Sequence, residues 1–203
     1  MGAIELHAWD HMAARATLID SDFGRRVWQA PWPSEMATCI PRLFTDLVSS
    51  VSESPAANLL HYSLEYQLLL FGVPGEGTLV ALPFLCELAE RRVVLYEAYS
   101  LLAQIANVVD IVLRGEFDFG VGTSPDVVFR VALDCRALLG ARVWMFLRDA
   151  CDQTLCPRVR GEVLVVVMTS PEAEAVWRPV LTEHLAEERD ENLRENLRSW
   201  LEG

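Results

Sequence analysis

The sequence predicts an all-α protein, a short right-handed α-solenoid of helical hairpins, and three observations carry that expectation. Between Thr78 and Asn107 two amphipathic patterns follow one another. Leu79, Leu82, Leu85 and Leu88 recur at helical spacing, then a polar break, Glu90-Arg91-Arg92, leads to Val94, Ala98, Leu101, Leu102, Ile105 and Val109. Two helices joined by so short a turn form an αα-hairpin. Imperfect copies of this unit recur elsewhere: Ile40-Pro41 with Leu43 matches Leu82-Pro83 with Leu85, and Val159-Arg160 with Val163 returns as Leu193-Arg194 with Leu197. Finally, a chain of 203 residues, 52% hydrophobic and 23% charged, suits one globular domain with a sizeable core rather than disorder.

Taken in order, residues 4–16 read as a first helix with Ile4, Ala8, His11 and Met12 inward. The segment from Asp20 to Pro33 is broken by Gly24, Pro31 and Pro33 but rich in Phe23, Val27, Trp28 and Trp32. It reads as a short helix and a packed loop, so residues 1–33 form an atypical N-terminal cap and 34–203 the repeats. A helix from Ser34 to Ser50 carries Pro41 near its start, with Ser34 as a candidate N-cap. Past the breaker Ser52-Glu53-Ser54-Pro55 a second helix spans 56–71, and Gly72 to Gly77 is a turn-rich link. Residues 115–125, GEFDFGVGTSP, make the longest irregular loop; its Gly120-Val121-Gly122 is too short and wrongly placed for a dinucleotide fingerprint. A helical stretch from Pro125 to Ala150 is expected to break or kink at Gly140. After a turn, a helix opens on Pro157, and the last pair spans Glu172 to Glu187 and Asp190 to Leu201. Glu191, Arg194, Glu195 and Arg198 give the final helix an exposed face of local ion pairs.

The net charge of −12 argues against nucleic acid as a ligand. It suits a basic protein surface, or simply solubility. All seventeen basic residues are arginine, which excludes a P-loop, Schiff-base or kinase-type lysine from this chain. Five cysteines occur without a C-x-x-C, mostly among apolar helical residues, and fit a reducing cytoplasm better than secretion. The first residues lack the basic and apolar regions of a signal peptide, and the apolar runs are too short to span a bilayer.

Chemistry is sparse. His7 and His11 share one helix face, but no glutamate base or further ligand accompanies them, so no metal site is expected. His61 with Glu65 reads as a structural pair more readily than as an acid–base couple, and His184 among Glu183, Glu187 and Glu188 as a solvated face. No G-x-S-x-G motif and no catalytic cysteine signature occurs, so neither an enzyme nor a cofactor is expected. What remains is surface. Asn58, His61 and Glu65 form one polar stripe; Glu97, Ser100, Gln104, Asn107 and Asp110 form another. The stripes line a mildly acidic groove, or merely face water, and on either reading Glu97 and Gln104 are exposed. Phe117, Asp118 and Phe119 make a recognition loop, or a loop tucked over helix ends.

The prolines Pro41, Pro83 and Pro179 beside leucine ladders, the turn acids Asp152 and Asp190, and the pairs Val159-Arg160 and Leu193-Arg194 together resemble HEAT-type repeats. VALPFLCELAE in particular is similar to bacterial HEAT-like proteins of this size, and the likeness covers roughly residues 34–203. That resemblance implies protein binding: an immunity-type inhibitor that covers the functional face of a bacterial toxin, or an intracellular adaptor or regulatory scaffold. Some HEAT-like folds are lyases or DNA glycosylases, and fold alone does not choose among these.

Overall fold

The computed structural model describes residues 22–69, 72–117 and 124–202. Among the described residues every regular element is a helix and no strand occurs. The helices are α1 (Asp22–Gln29), α2 (Cys39–Ser49), α3 (Pro55–Leu68), α4 (Glu76–Glu90), α5 (Leu95–Leu113), α6 (Pro125–Gly140), α7 (Val143–Cys151), α8 (Pro157–Met168), α9 (Glu174–Leu185) and α10 (Glu191–Glu202), with a 3-10 turn at Pro171–Ala173. The expected helix at 4–16, with His7 and His11, lies outside the described residues. The chain divides into two compact units, Met1–Leu101 and Leu102–Gly203.

In the first unit, α1 packs on α2, α2 on α3 and α3 on α4. An aromatic cluster joins Phe23 of α1, Trp32, Phe44 of α2 and Phe84 of α4, with ring centroids 5.8–6.1 Å apart. Such edge and offset contacts add to the burial of the rings themselves. The Trp32 indole donates to the Val27 carbonyl at 2.7 Å, so the loop after α1 is tied down as well as packed. Arg26 lies 6.0 Å from the centroids of Phe23 and Phe84 and bonds the Glu87 carboxylate at 2.7 Å.

The start of α2 is a correction. It begins at Cys39 rather than Ser34, and the Ser34 hydroxyl donates to the Glu35 carboxylate at 3.2 Å instead of capping. Pro41 is then the third helical residue, within the first turn, where a missing N–H costs nothing. The start of α3 follows local rules: Ser54 Oγ accepts the Ala57 N–H at 3.1 Å, and Pro55 is the first helical residue. Its buried stripe is Ala57, His61, Leu64 and Leu68. At α4 the Thr78 hydroxyl accepts the Gly75 N–H at 3.0 Å and donates to the Leu68 carbonyl at 2.5 Å, binding two helices at one atom. A Cβ at Gly77 would lie 2.5 Å from Met36 Sδ, so any larger residue there requires the end of the Met36 side chain to shift.

In the second unit the stretch expected from Pro125 to Ala150 is two helices, separated at Ala141-Arg142 directly after Gly140. α7 packs along α8, α9 against both, and α10 on α9. Pro157 opens α8 as expected. Asp190 Oδ1 accepts the Leu193 N–H at 3.0 Å and caps α10. Beneath this turn lies a second correction. His184 is 7% exposed, and its Nε2 stands 3.0 Å from Oε2 of Glu188, itself 3% exposed. Arg160 reaches both Glu188 oxygens. Of the residues read as a solvated face, His184 and Glu188 are the polar centre of this unit, while Glu183 and Glu187 are exposed as expected. All five cysteines are free thiols. No described helix is long and apolar enough to cross a membrane.

Candidate interaction surface

The two polar stripes expected to face outward do so only in part. Glu97, at the start of α5, is 0% exposed and Ser100 is 5% exposed. The Glu97 carboxylate turns back to the α2–α3 connection, where it accepts the Ser52 hydroxyl at 2.6 Å and the Glu53 N–H at 2.5 Å. Glu53 has φ 59, a left-handed conformation that a non-glycine residue adopts at a cost. The carboxylate holds that turn closed by accepting its N–H. Glu97 is therefore a brace inside the fold, and the expectation that it is exposed is corrected. Further along α5, Gln104 is half-buried and Asn107 exposed. Asp110 is taken up by two arginines, Arg114 Nε at 3.0 Å and Arg136 Nη2 at 2.9 Å. Phe117 is half-buried; Asp118 and Phe119 lie outside the described residues.

On α3, Asn58 is exposed, Glu65 half-buried and His61 buried, so this stripe too is split between inside and outside. The His61 Nε2 has no hydrogen-bond partner among the described residues. Burial pushes its imidazole below the ordinary histidine value, against the opposing charges of Glu65 and Glu97. His61 and Glu65 are thus neither a hydrogen-bonded couple through Nε2 nor an exposed pair.

The face of α3 that meets solvent is apolar. Leu59, Tyr62 and Tyr66, spaced i, i+3 and i+7, are 68%, 65% and 67% exposed, and Val51 before the helix is 65% exposed. Three large side chains in one helical row are unusual on a surface that no partner covers. The Tyr62 ring packs in a T-shaped contact with buried His61, centroids 5.4 Å apart, while most of its side chain meets solvent. Tyrosine in such a place offers large contact area at little conformational cost, together with a polar tip. From Leu43 to Glu90 the chain carries no arginine, and its acids are Asp46, Glu53, Glu65, Glu76, Glu87 and Glu90. The aromatic row therefore lies in a stretch of one sign of charge. Sequence reasoning did not single these three residues out as a surface. Leu59, Tyr62 and Tyr66 have the same spacing as a core stripe, and α3 has apolar residues all round, so periodicity could not choose its buried face.

No protein-family model matches this chain, and no curated protein and no solved structure matches it.

Proposed function

We propose that this chain is a protein-binding module built as a HEAT-like α-solenoid, most specifically an immunity-type protein that inhibits a toxin domain by covering its basic functional face. The observation that carries the reading is the exposed Leu59–Tyr62–Tyr66 row on α3 within an arginine-free, acidic stretch. Hot spots of protein interfaces are aromatic anchors, and complementary charge around them speeds association with a basic partner. The packing of α7 along α8, of α9 on both, and of α10 on α9 supports the repeat reading. So does the burial of Val159 and Val163 alongside Leu193 and Leu197 at matching positions of α8 and α10. The cytoplasm is the compartment this reading requires, in keeping with five free thiols.

The test uses the wild-type chain as bait to identify the partner. Titration calorimetry then compares wild type with the Tyr62→Ala/Tyr66→Ala variant at low and high salt. Both rings are mostly solvent-exposed, so the variant should fold with stability within ~0.5 kcal/mol of wild type. Its affinity should fall ~30-fold or more, the loss of one hot spot of ~2 kcal/mol. Unchanged affinity in the folded variant would remove α3 as the docking face. A bound partner without toxic activity, and with salt-independent affinity, would make the chain an adaptor instead. Turnover of a metabolite by the purified chain would replace both with the enzyme reading.

A further inference from the structure

A groove of about 460 Å³ lies between α8 and α10 in the second unit, and its lining is unlike the α3 surface. One wall is apolar, made by Val165, Leu193 and Trp200; the rest of the lining includes the charged Arg158, Glu162 and Asp190, the exposed amides of Asn192 and Asn196, and the bare backbone of Gly161. Gly161 lies inside a helix, where glycine is a poor choice. A Cβ there would only reach ordinary contact, 3.6 Å from Leu193 Cδ2, so the packing of the two helices does not demand glycine. Its effect is to leave the groove floor open.

The carboxylates around this groove differ in what they already do. Glu188 is held by Arg160 and His184, and Asp190 caps α10 through its Oδ1. Glu162 has no hydrogen-bond partner among the described residues, although it is half-buried. Burial pushes its carboxyl above the ordinary value, with the Arg158 charge opposing. A carboxylate partly stripped of water, with nothing bound to it, gains most from a cation that can be enclosed with it. Trp200, 36% exposed, adds an indole whose face attracts cations, and the two amides can accept N–H donors. Glu162 and Asp190 outnumber Arg158 in the lining, so the groove favours positive over negative ligands.

We propose that this groove binds an organic cation, a guanidinium or alkylammonium group on an apolar stem, with Glu162 as the charge partner and Trp200 as the wall. The stem lies along Val165 and Leu193, and the amides of Asn192 and Asn196 take the remaining N–H donors. The site is independent of the α3 reading. The cation belongs either to a free small molecule or to an arginine or lysine side chain on a protein, and the two share this chemistry.

The test follows the Trp200 indole N–H by heteronuclear NMR on the whole chain, assigned with the Trp200→Phe variant. Ethylguanidinium and butylammonium are titrated beside neutral propylurea, and an end-blocked Ala-Arg-Ala peptide beside its citrulline counterpart. Both cations should shift the Trp200 signal saturably, and the neutral compounds should not. Glu162→Gln should weaken binding at least tenfold. Gly161→Ala should also weaken it while raising the melting temperature, which separates groove filling from damage to the fold. Arg158→Ala should tighten binding by removing the competing charge. A blocked arginine peptide at least tenfold tighter than ethylguanidinium assigns the site to a displayed side chain; similar affinities assign it to a free ligand. No shift with either cation at tens of millimolar, an equal shift with propylurea, or a response unaltered in folded Glu162→Gln would overturn the proposal.

Discussion

Glu97 in the first unit and Glu188 in the second perform the same task by different means. Each is a buried carboxylate, 0% and 3% exposed, that fastens the connection between two helices. Glu97 receives neutral donors, the Ser52 hydroxyl and the Glu53 N–H. Glu188 receives the Arg160 guanidinium, the His184 ring and the Asp190 N–H. Burial alone would push the Glu188 carboxyl up, but the Arg160 and Asp190 hydrogen bonds, the Arg160 charge and His184 outweigh it and hold it below the usual carboxylate range. One brace is a carboxylate held by neutral dipoles, the other a carboxylate held by a counter-charge. The difference decides what each loses when a partner is removed.

The largest effect is expected at Arg160. Its guanidinium is 4% exposed against a Glu188 side chain that is 1% exposed. Arg160→Met keeps the bulk and strands the carboxylate, which should cost ~3–5 kcal/mol, read as a fall in the urea midpoint. The Arg160→Met/Glu188→Leu double variant should recover much of that, because an apolar replacement of a buried pair is often neutral. A single variant close to wild type would mean that water reaches Glu188 and the pair is not buried in solution. At Glu97 no counter-ion among the described residues is there to strand. Glu97→Ala leaves one hydroxyl and one amide donor unbonded, an expected loss of ~2–3 kcal/mol. Glu97→Gln, which keeps an acceptor, should lose about half as much.

How much of this was legible in the sequence depended on how far each feature reaches along the chain. Pro157 and Asp190 mark helix starts by local means, a proline at the first helical position and a cap bond that reaches three residues, and both were read from the sequence; Ser54-Pro55, read as part of a breaker before a helix from 56, is itself the cap and first residue of that helix. Ser34 carried the same kind of signal and failed, because the turn at 34–38 delays the helix to Cys39. Burial was less legible. Glu97 meets donors forty-five positions away at Ser52, and Glu188 meets Arg160 at a separation of twenty-eight. A local pattern that places a polar residue outside has no access to such partners. On α3, two stripes of the same period compete, Ala57–His61–Leu64–Leu68 and Leu59–Tyr62–Tyr66, and only packing against α2 and α4 selects between them.

Acid should sharpen the contrast between His61 in the first unit and Glu188 in the second. The folded-state pKa of His61 is lowered by burial, so below its unfolded value near 6.5 the unfolded chain takes up a proton that the folded chain resists. Stability should begin to fall there and continue to fall towards the lowered folded value. Glu188, also lowered, contributes fully above its unfolded value of about 4.3, and that contribution is lost as pH falls through the folded one. Urea midpoints measured across this range should show two successive losses. His61→Gln should abolish the first and leave the second. A single loss, unaltered by His61→Gln, would mean that the imidazole is solvated in the folded chain.

The smallest effect compares backbone rather than charge. α4 and α5 end in the same turn. After α4, the Arg92 N–H bonds the Ala89 carbonyl at 3.0 Å and the Val93 N–H bonds Leu88 at 3.0 Å. After α5, Gly115 bonds Val112 and Glu116 bonds Ile111, both at 3.1 Å. This is the Schellman pattern, whose pivotal residue is left-handed: Arg92 has φ 56 and Gly115 has φ 72. Glycine adopts that conformation freely, whereas arginine is strained in it. Among the described residues nothing lies within 4 Å of a Cβ built on Gly115, so a substitution there changes backbone strain without steric conflict with them. Gly115→Ala should therefore destabilise by ~1 kcal/mol, and Arg92→Gly should stabilise by up to about the same amount, less whatever the arginine side chain contributes. Thermal unfolding of the two single variants would read both signs. If Gly115→Ala is neutral, the left-handed turn after α5 does not persist in solution. If Arg92→Gly destabilises, the Arg92 side chain contributes more to the α4–α5 connection than its strain costs.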